Sequence, residues 1–309
     1  MLAPQGDPAE VIGAARRAEE LGYDFLACGE HVFFHSPTPN AFVALAAAAG
    51  ATTRLRLLSA LTVLPLYPAA LAAKMAATLD RVSGGRFDLG VGVGGEFPAE
   101  FAACGVPVNQ RGRRTDEALE MLTRLFAGEP VSFGADGRLR GDEHAGGEDQ
   151  VTLDPLPLQR PRPPLWIGGR KDASMRRAGL FGDVWVPYMY SPEQLASGLE
   201  RVAEVAAEHG RPTAEGAVFC WAGVGRDAAK ARREAVETLG GVYHQDFGPI
   251  ADRYVPSGTP DQVVARLREY VEAGARSIVL VPACADADRA AMVELFATEV
   301  VPALNRRQH

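Results

Sequence analysis

The feature that most constrains this chain is a regular alternation of helical and strand-like segments. From Pro8 to Gly22, Val11, Ile12, Ala15, Ala18 and Leu21 recur at helical spacing and the run stops at a glycine; the short strand-like segment Asp24 to Gly29 comes next. A helix from about Asn40 to Gly50, a strand from Leu55 to Leu64, a helix from Pro68 to Val82 and a strand from Phe87 to Val93 continue the rhythm. The second half repeats it. Helices are predicted near Arg111 to Phe126, Ser191 to His209, Asp227 to Leu239, Pro260 to Ala273 and Asp286 to Leu304, with strands at Leu165 to Ile167, Asp183 to Val186, Ala217 to Ala222 and Ser277 to Val281.

Such alternation is the signature of parallel βαβ units. Seven strands are clear, and an eighth falls to Met1 to Pro4, so the first strand reads as truncated. The fold expected is α/β, a single (β/α)8 TIM barrel spanning residues 1–309 with loop insertions. The largest is a stretch rich in Gly, Asp, Arg and Pro at about 129–164, expected to lie over the domain.

Composition narrows the function. An apolar share of 47% supplies a sizeable core, and a net charge of −7 does not make the basic surface that nucleic acid or an anionic membrane selects. The uncharged run Leu57 to Ala73 is interrupted by Pro65 and Pro68 and is too short to span a bilayer. No cationic segment precedes an apolar one near Met1. Cys28, Cys104, Cys220 and Cys284 are scattered without ligand spacing, which argues for buried thiols in a reducing compartment and against a zinc site. A cytoplasmic protein without nucleic-acid or membrane partners and without a metal is the expectation.

Barrel chemistry sits where strands run into helices. The first clear strand ends Ala27-Cys28-Gly29-Glu30-His31, and its period of two puts Phe25, Ala27, Gly29 and His31 on one face. Small residues beneath His31 leave room for a cofactor ring with the imidazole at its edge as hydrogen-bond donor or general acid; a histidine that ties two loops together is the competing reading. Glu30 faces the other way and reads as structural, His35 as a solvated loop residue. Gly90, Gly92 and Gly95 match G-x-G-x-x-G, but they lie in or just beyond a strand, and Pro98 breaks the segment where a helix should open. With Gly94, they read better as glycines that let a flat ligand approach.

Ile167-Gly168-Gly169-Arg170-Lys171-Asp172-Ala173-Ser174 runs from a strand through two glycines into a helix. Backbone N–H groups, the helix N-terminus, Ser174, Arg170 and Lys171 could together hold a phosphate; a flexible turn is the alternative. Arg111, Arg113 and Arg114 open a helix and could bind an anionic tail, or belong to a solvated helix start. Pocket walls are expected from Phe33, Phe34, Tyr67, Phe97, Tyr188, Tyr190 and the insertions. No nucleophile elbow, P-loop or His-Glu-x-x-His motif occurs.

Ala18-Glu19-Glu20-Leu21-Gly22-Tyr23-Asp24, Gly29-Glu30-His31, Ala77 to Arg86, Gly90-Val91-Gly92-Val93-Gly94, Arg111 to Leu119 and Pro163 to Gly169 together resemble the bacterial-luciferase-like superfamily. The resemblance implies a (β/α)8 oxidoreductase that uses reduced FMN, as a monooxygenase, or coenzyme F-420, by hydride transfer, on a small organic substrate. It places His31 over the ring as the catalytic residue, and a non-proline cis peptide at Ala60-Leu61 behind it. Gly92, Gly94, Gly168, Gly169, Arg170 and Ser174 are then cofactor-binding.

The chain departs from the family at Val93, where luciferase itself carries a phosphate-gripping arginine; the contact moves to Arg111, Arg113 or Arg170. It departs again at Asp183-Val184-Trp185, which replaces Asp-Gly-Trp. A homodimer and a flavin reductase supplying reduced cofactor are implied by the resemblance alone. Two other readings compete: a non-catalytic flavin-binding or partner-binding barrel whose insertion is the interaction surface, and an NAD-dependent Rossmann dehydrogenase.

Overall fold

The computed structural model describes residues 8–134, 139 and 150–306. The strand expected at Met1 to Pro4 and the middle of the insertion lie outside them.

Among the described residues, nine strands form one sheet: β1 (Phe25–Cys28), β2 (Arg56–Ser59), β3 (Thr62–Val63), β4 (Phe87–Gly92), β5 (Leu165–Gly168), β6 (Val184–Val186), β7 (Glu215–Val224), β8 (Ser257–Gly258) and β9 (Ala275–Pro282). Every strand pair is parallel, and β1, β2, β4, β5, β6, β7 and β9 are neighbours in that order. These seven are the clear strands of the sequence. The predicted strand Leu55 to Leu64 is split: Ala60-Leu61 is a cis peptide, and β2 and β3 on either side of it both pair with β4.

Side chains divide between two cores, as a barrel requires. Ala27, Leu58, Trp166, Val184, Val186, Ala217, Trp221, Val279 and Val281 point inward from six different strands and form one interior cluster. The opposite faces pack against helices, Leu26, Leu57, Leu89, Ile167, Trp185 and Leu280 among them. The segment before β1 reaches the last helices where the Tyr23 hydroxyl donates to the Val293 carbonyl at 2.8 Å. The molecule is an α/β barrel of the (β/α)8 type, and an open Rossmann sheet is set aside.

The Val-Ser-Gly-Gly-Arg run has a structural use. Arg86 donates to the carbonyls of Ala49 at 2.9 Å, Thr52 at 3.2 Å and Leu55 at 2.8 Å, closing the C-terminal end of α2 (Ala41–Ala51) onto the start of β2. Nearby, the fully buried Asp80 of α3 (Ala69–Val82) accepts from the backbone N–H groups of Leu158 at 2.6 Å and Gln159 at 3.0 Å. Gln159 donates in turn to the carbonyl of Phe87, the first residue of β4, at 2.6 Å.

The returning leg of the insertion is therefore clamped at the N-terminal ends of the strands. It fills the connection from α5 (Arg111–Ala127) to β5, which in a βα barrel crosses the face opposite the active one. The expectation that the insertion helps wall the pocket is overturned for its described residues.

Candidate active site

A cavity of about 250 Å³ opens at the C-terminal ends of the strands. His31, Ala60, Leu61, Gly92, Gly94, Gly168 and Gly169 all line it, so seven of the ten residues named from sequence converge. Arg111, Arg170 and Ser174 do not line it. Nδ1 of His31 lies 3.2 Å from Oε2 of Glu100, and the ring stacks on Phe34 at 4.3 Å between centroids with an 11° tilt. The His31 side chain is 17% exposed, whereas that of Glu100 is fully buried.

Sequence reasoning missed Glu100. It stands in the first turn of the short α4 (Pro98–Ala103), whose start is set by Pro98, and its Oε2 also accepts the Val32 N–H at 3.2 Å. Oε1 is buried without a hydrogen-bond partner. With Nδ1 against the carboxylate, Nε2 is the ring nitrogen left without a protein partner among the described residues.

Glu30 has the structural role expected of it. Its Oε2 accepts from the Tyr67 hydroxyl at 2.8 Å and from the Ala41 N–H at 3.1 Å, and its Oε1 from the Val63 N–H at 3.1 Å. Burial raises its pKa, and these hydrogen bonds pull the other way. It thereby ties β3 to the start of α2 while reaching the cavity wall. Tyr67 is spent on this network and does not line the cavity, nor do Phe33, Phe97 or Tyr190; of the expected walls, Phe34 and Tyr188 remain.

The glycines act differently from the expectation. A Cβ on Gly90 would lie 1.9 Å from the Ser59 carbonyl oxygen, and one on Gly168 would lie 1.9 Å from Cδ1 of Leu61. The space at these positions is taken by the cis-bonded segment, which the glycines allow to cross the strand ends. Gly92 likewise faces Leu61, and Gly94, at φ +56°, faces Val63 and Phe101. Ala60, Leu61 and the glycines Gly92, Gly94, Gly168 and Gly169 line the cavity beside this crossing.

At the Gly168-Gly169 turn, Trp185 Nε1 donates to the Gly169 carbonyl at 3.1 Å, so the Trp of Asp183-Val184-Trp185 braces the turn from outside. The next helix, α6 (Asp172–Phe181), has Lys171 at its N-cap and no side-chain cap, while the Ser174 N–H of its first turn donates to the Lys171 carbonyl at 2.8 Å. The Ser174 hydroxyl donates to the Lys171 carbonyl at 2.7 Å. Arg170 lies over the Tyr188 ring at 4.8 Å.

The three arginines that open α5 scatter: Arg111 packs against Gly95 and donates to the Val108 carbonyl, Arg113 pairs with Glu117, and Arg114 donates to the Pro65 carbonyl. His35 is exposed but not simply solvated, since its ring stacks on His244 at 4.2 Å. Cys28, Cys220 and Cys284 are buried, and burial pushes the first two thiols up to about 12; Cys104 is exposed, against expectation.

A half-open, mostly apolar cavity at the mouth of a parallel barrel, with one buttressed imidazole at its edge, lies where such barrels hold their ligands. The family model for luciferase-like monooxygenases matches residues 1–248, and the chain belongs to that family. An uncharacterized protein of Mycobacterium tuberculosis is 34% identical over 175 residues, 57% of either chain; the chain spans little more than half the length of the curated relatives it matches.

Among solved structures, the monooxygenase RslO1 from Streptomyces bottropensis is 27% identical, with a TM-score of 0.80 and coverage of 96% of this chain and 93% of that one. An F-420-dependent secondary alcohol dehydrogenase holding an F-420-acetone adduct is 22% identical (TM-score 0.81, coverage 99% and 98%). The oxygenating constituent of 3,6-diketocamphane monooxygenase from Pseudomonas putida, with FMN, is 21% identical (TM-score 0.78, coverage 98% and 94%). Among the described residues, no helix is long and apolar enough to cross a membrane.

Proposed function

We propose that the protein is a luciferase-like oxidoreductase that acts on a small organic substrate with reduced FMN or coenzyme F-420, and that His31 is its catalytic residue. The observation that carries this reading is the His31-Glu100 pair at the edge of a cavity whose strand side is Ala60, Leu61 and glycine backbone. The residues present fit a flat heterocycle with a phosphate. The apolar layer suits the ring, and the uncapped start of α6, with Arg170 and Lys171 beside it, suits the anion. When bound, reduced FMN supplies oxygen activation and reduced F-420 supplies a hydride.

The work of the chain is the same with either. Glu100 orients the imidazole, Nε2 of His31 holds or delivers the proton, Leu61 and Ala60 support the ring, and the aromatic wall opposite excludes water. With FMN, a separate flavin reductase is the source of reduced cofactor. Fluorescence titration with reduced FMN and with reduced F-420 tests the reading: one of them binds well below about 1 mM, a threshold of roughly −4 kcal/mol, and failure of both to do so removes it.

A homodimer is part of the same proposal. Helix α2 is apolar on every side and leaves Val43 70% exposed, and Leu71 of α3 is 50% exposed. Burial against a second copy suits such a surface. Light scattering on wild type and Val43→Asp checks it, with a dimer expected for the first and a monomer for the second.

A further inference from the structure

Opposite the layer of Ala60 and Leu61, the cavity is walled by aromatic side chains that no motif announced. Phe219 and Trp221 alternate on β7, and Tyr243, the last residue of α8 (Ala228–Tyr243), packs edge-on to Trp221 at 6.2 Å and to Phe34 at 6.4 Å. Nε1 of Trp221 donates to the Tyr243 hydroxyl oxygen at 3.2 Å. That oxygen is thus engaged as an acceptor, while its own proton has no acceptor among the described residues. Burial raises the Tyr243 pKa, so the hydroxyl keeps this proton at neutral pH.

The charges around the cavity point the same way. Its lining contains no Lys or Arg; the ionisable side chains other than the tyrosines are His31, Glu30 and Glu96. Glu30 is consumed by its hydrogen bonds, and Glu96 accepts from the Tyr188 hydroxyl at 2.5 Å. A carboxylate-bearing substrate would meet no Lys or Arg in the lining itself, only the charge of Arg170 from behind the Tyr188 ring, and two carboxylates nearby.

We infer that Tyr243 is a substrate-anchoring residue: the substrate is an uncharged ring compound whose carbonyl or hydroxyl oxygen accepts the Tyr243 proton while its apolar body lies on Phe219 and Trp221. Trp221 is the positioning residue that turns the hydroxyl. The inference rests on the oxidoreductase reading only for what happens to the bound molecule. Losing a hydrogen bond whose donor then stays buried and unpaired discriminates more strongly than losing apolar contact, so the oxygen of the substrate is the selected feature.

Calorimetric titration of the full chain with α-tetralone, its deoxy analogue tetralin and naphthoate tests this, with FMN and F-420 titrated in parallel. Tetralone is expected to bind about tenfold more tightly than tetralin, and naphthoate more weakly than both. Tyr243→Phe, which keeps the ring and its packing, erases the tetralone preference with an unchanged melting temperature; Trp221→Phe narrows it and serves if the first variant does not fold. Naphthoate binding as tightly as tetralone, no tetralone preference in wild type, or a preference that survives both substitutions overturns the inference. Cofactor binding without the tetralone preference removes this inference and leaves the proposed function standing; the preference without cofactor binding does the reverse.

Discussion

Nδ1 of His31 and Oε2 of Glu100 stand 3.2 Å apart, one side chain at the cavity edge and the other sealed from solvent. A carboxylate in that place fixes which ring nitrogen faces the ligand, and rotation of the imidazole is further checked by the Phe34 ring stacked on it. His31→Ala is expected to lower turnover by about 10²- to 10⁴-fold, the range for loss of a positioned acid or base. Glu100→Gln keeps the shape and is expected to lower turnover while leaving cofactor affinity within about threefold, because it acts through His31. Steady-state kinetics beside cofactor titration separates the two roles; equal turnover in Glu100→Gln and wild type would sink the positioning claim.

The crossing of Leu61 over Gly168 gives a second prediction. With only 1.9 Å between a Cβ at Gly168 and Cδ1 of Leu61, Gly168→Ala must push Leu61 toward the cavity. Overpacking of this kind costs about 1 to 3 kcal/mol, and here it also narrows the ring site, so cofactor affinity should fall at least tenfold. The double variant with Leu61→Ala restores the space. Recovery of folding stability in the double variant, measured by denaturant unfolding, is the expected result.

Range decides how much of this was legible in the sequence. Periodicity is a local property, so the seven strands and most helices could be read directly, as could the turn at Gly168-Gly169 and the placing of His31 at a strand end. Glu100 could not, because nothing in Pro98-Ala99-Glu100 says that a histidine 69 residues earlier folds back onto it. The glycines show the intermediate case: their positions marked close approach, but only the fold shows that the approaching group at Gly90 is the Ser59 carbonyl. Phe219 and Trp221 share the period-two face of β7 and could have been found by that signal; Tyr243, at a helix end, could not.

Glu19 supplies a pH dependence remote from the site. Its carboxylate accepts the backbone N–H groups of Arg54, Leu55 and Thr53, which hold its pKa at about 2, below the ordinary 4.5. A folded-state pKa below the unfolded one gives stability that is fully present above about pH 4.5 and is lost as pH falls toward 2. Urea midpoints of wild type and Glu19→Gln should therefore differ most at neutral pH and converge between pH 4.5 and 2, and a gap independent of pH would contradict the assignment.

The last prediction separates the two faces of the barrel. Asp80 is fully buried and satisfies Leu158 N, Gln159 N and Gln159 Nε2, so Asp80→Ala leaves three donors without their acceptor. Breaking such a buried network costs about 2 to 4 kcal/mol. The damage lies where the insertion returns to the N-terminal ends of β2 and β4, since Gln159 also accepts from Arg56, the first residue of β2. The cavity is at the other end of those strands. Asp80→Ala should accordingly lower the melting temperature while the protein that remains folded binds cofactor with wild-type affinity; selective loss of binding at full stability would mean that the returning leg shapes the mouth after all.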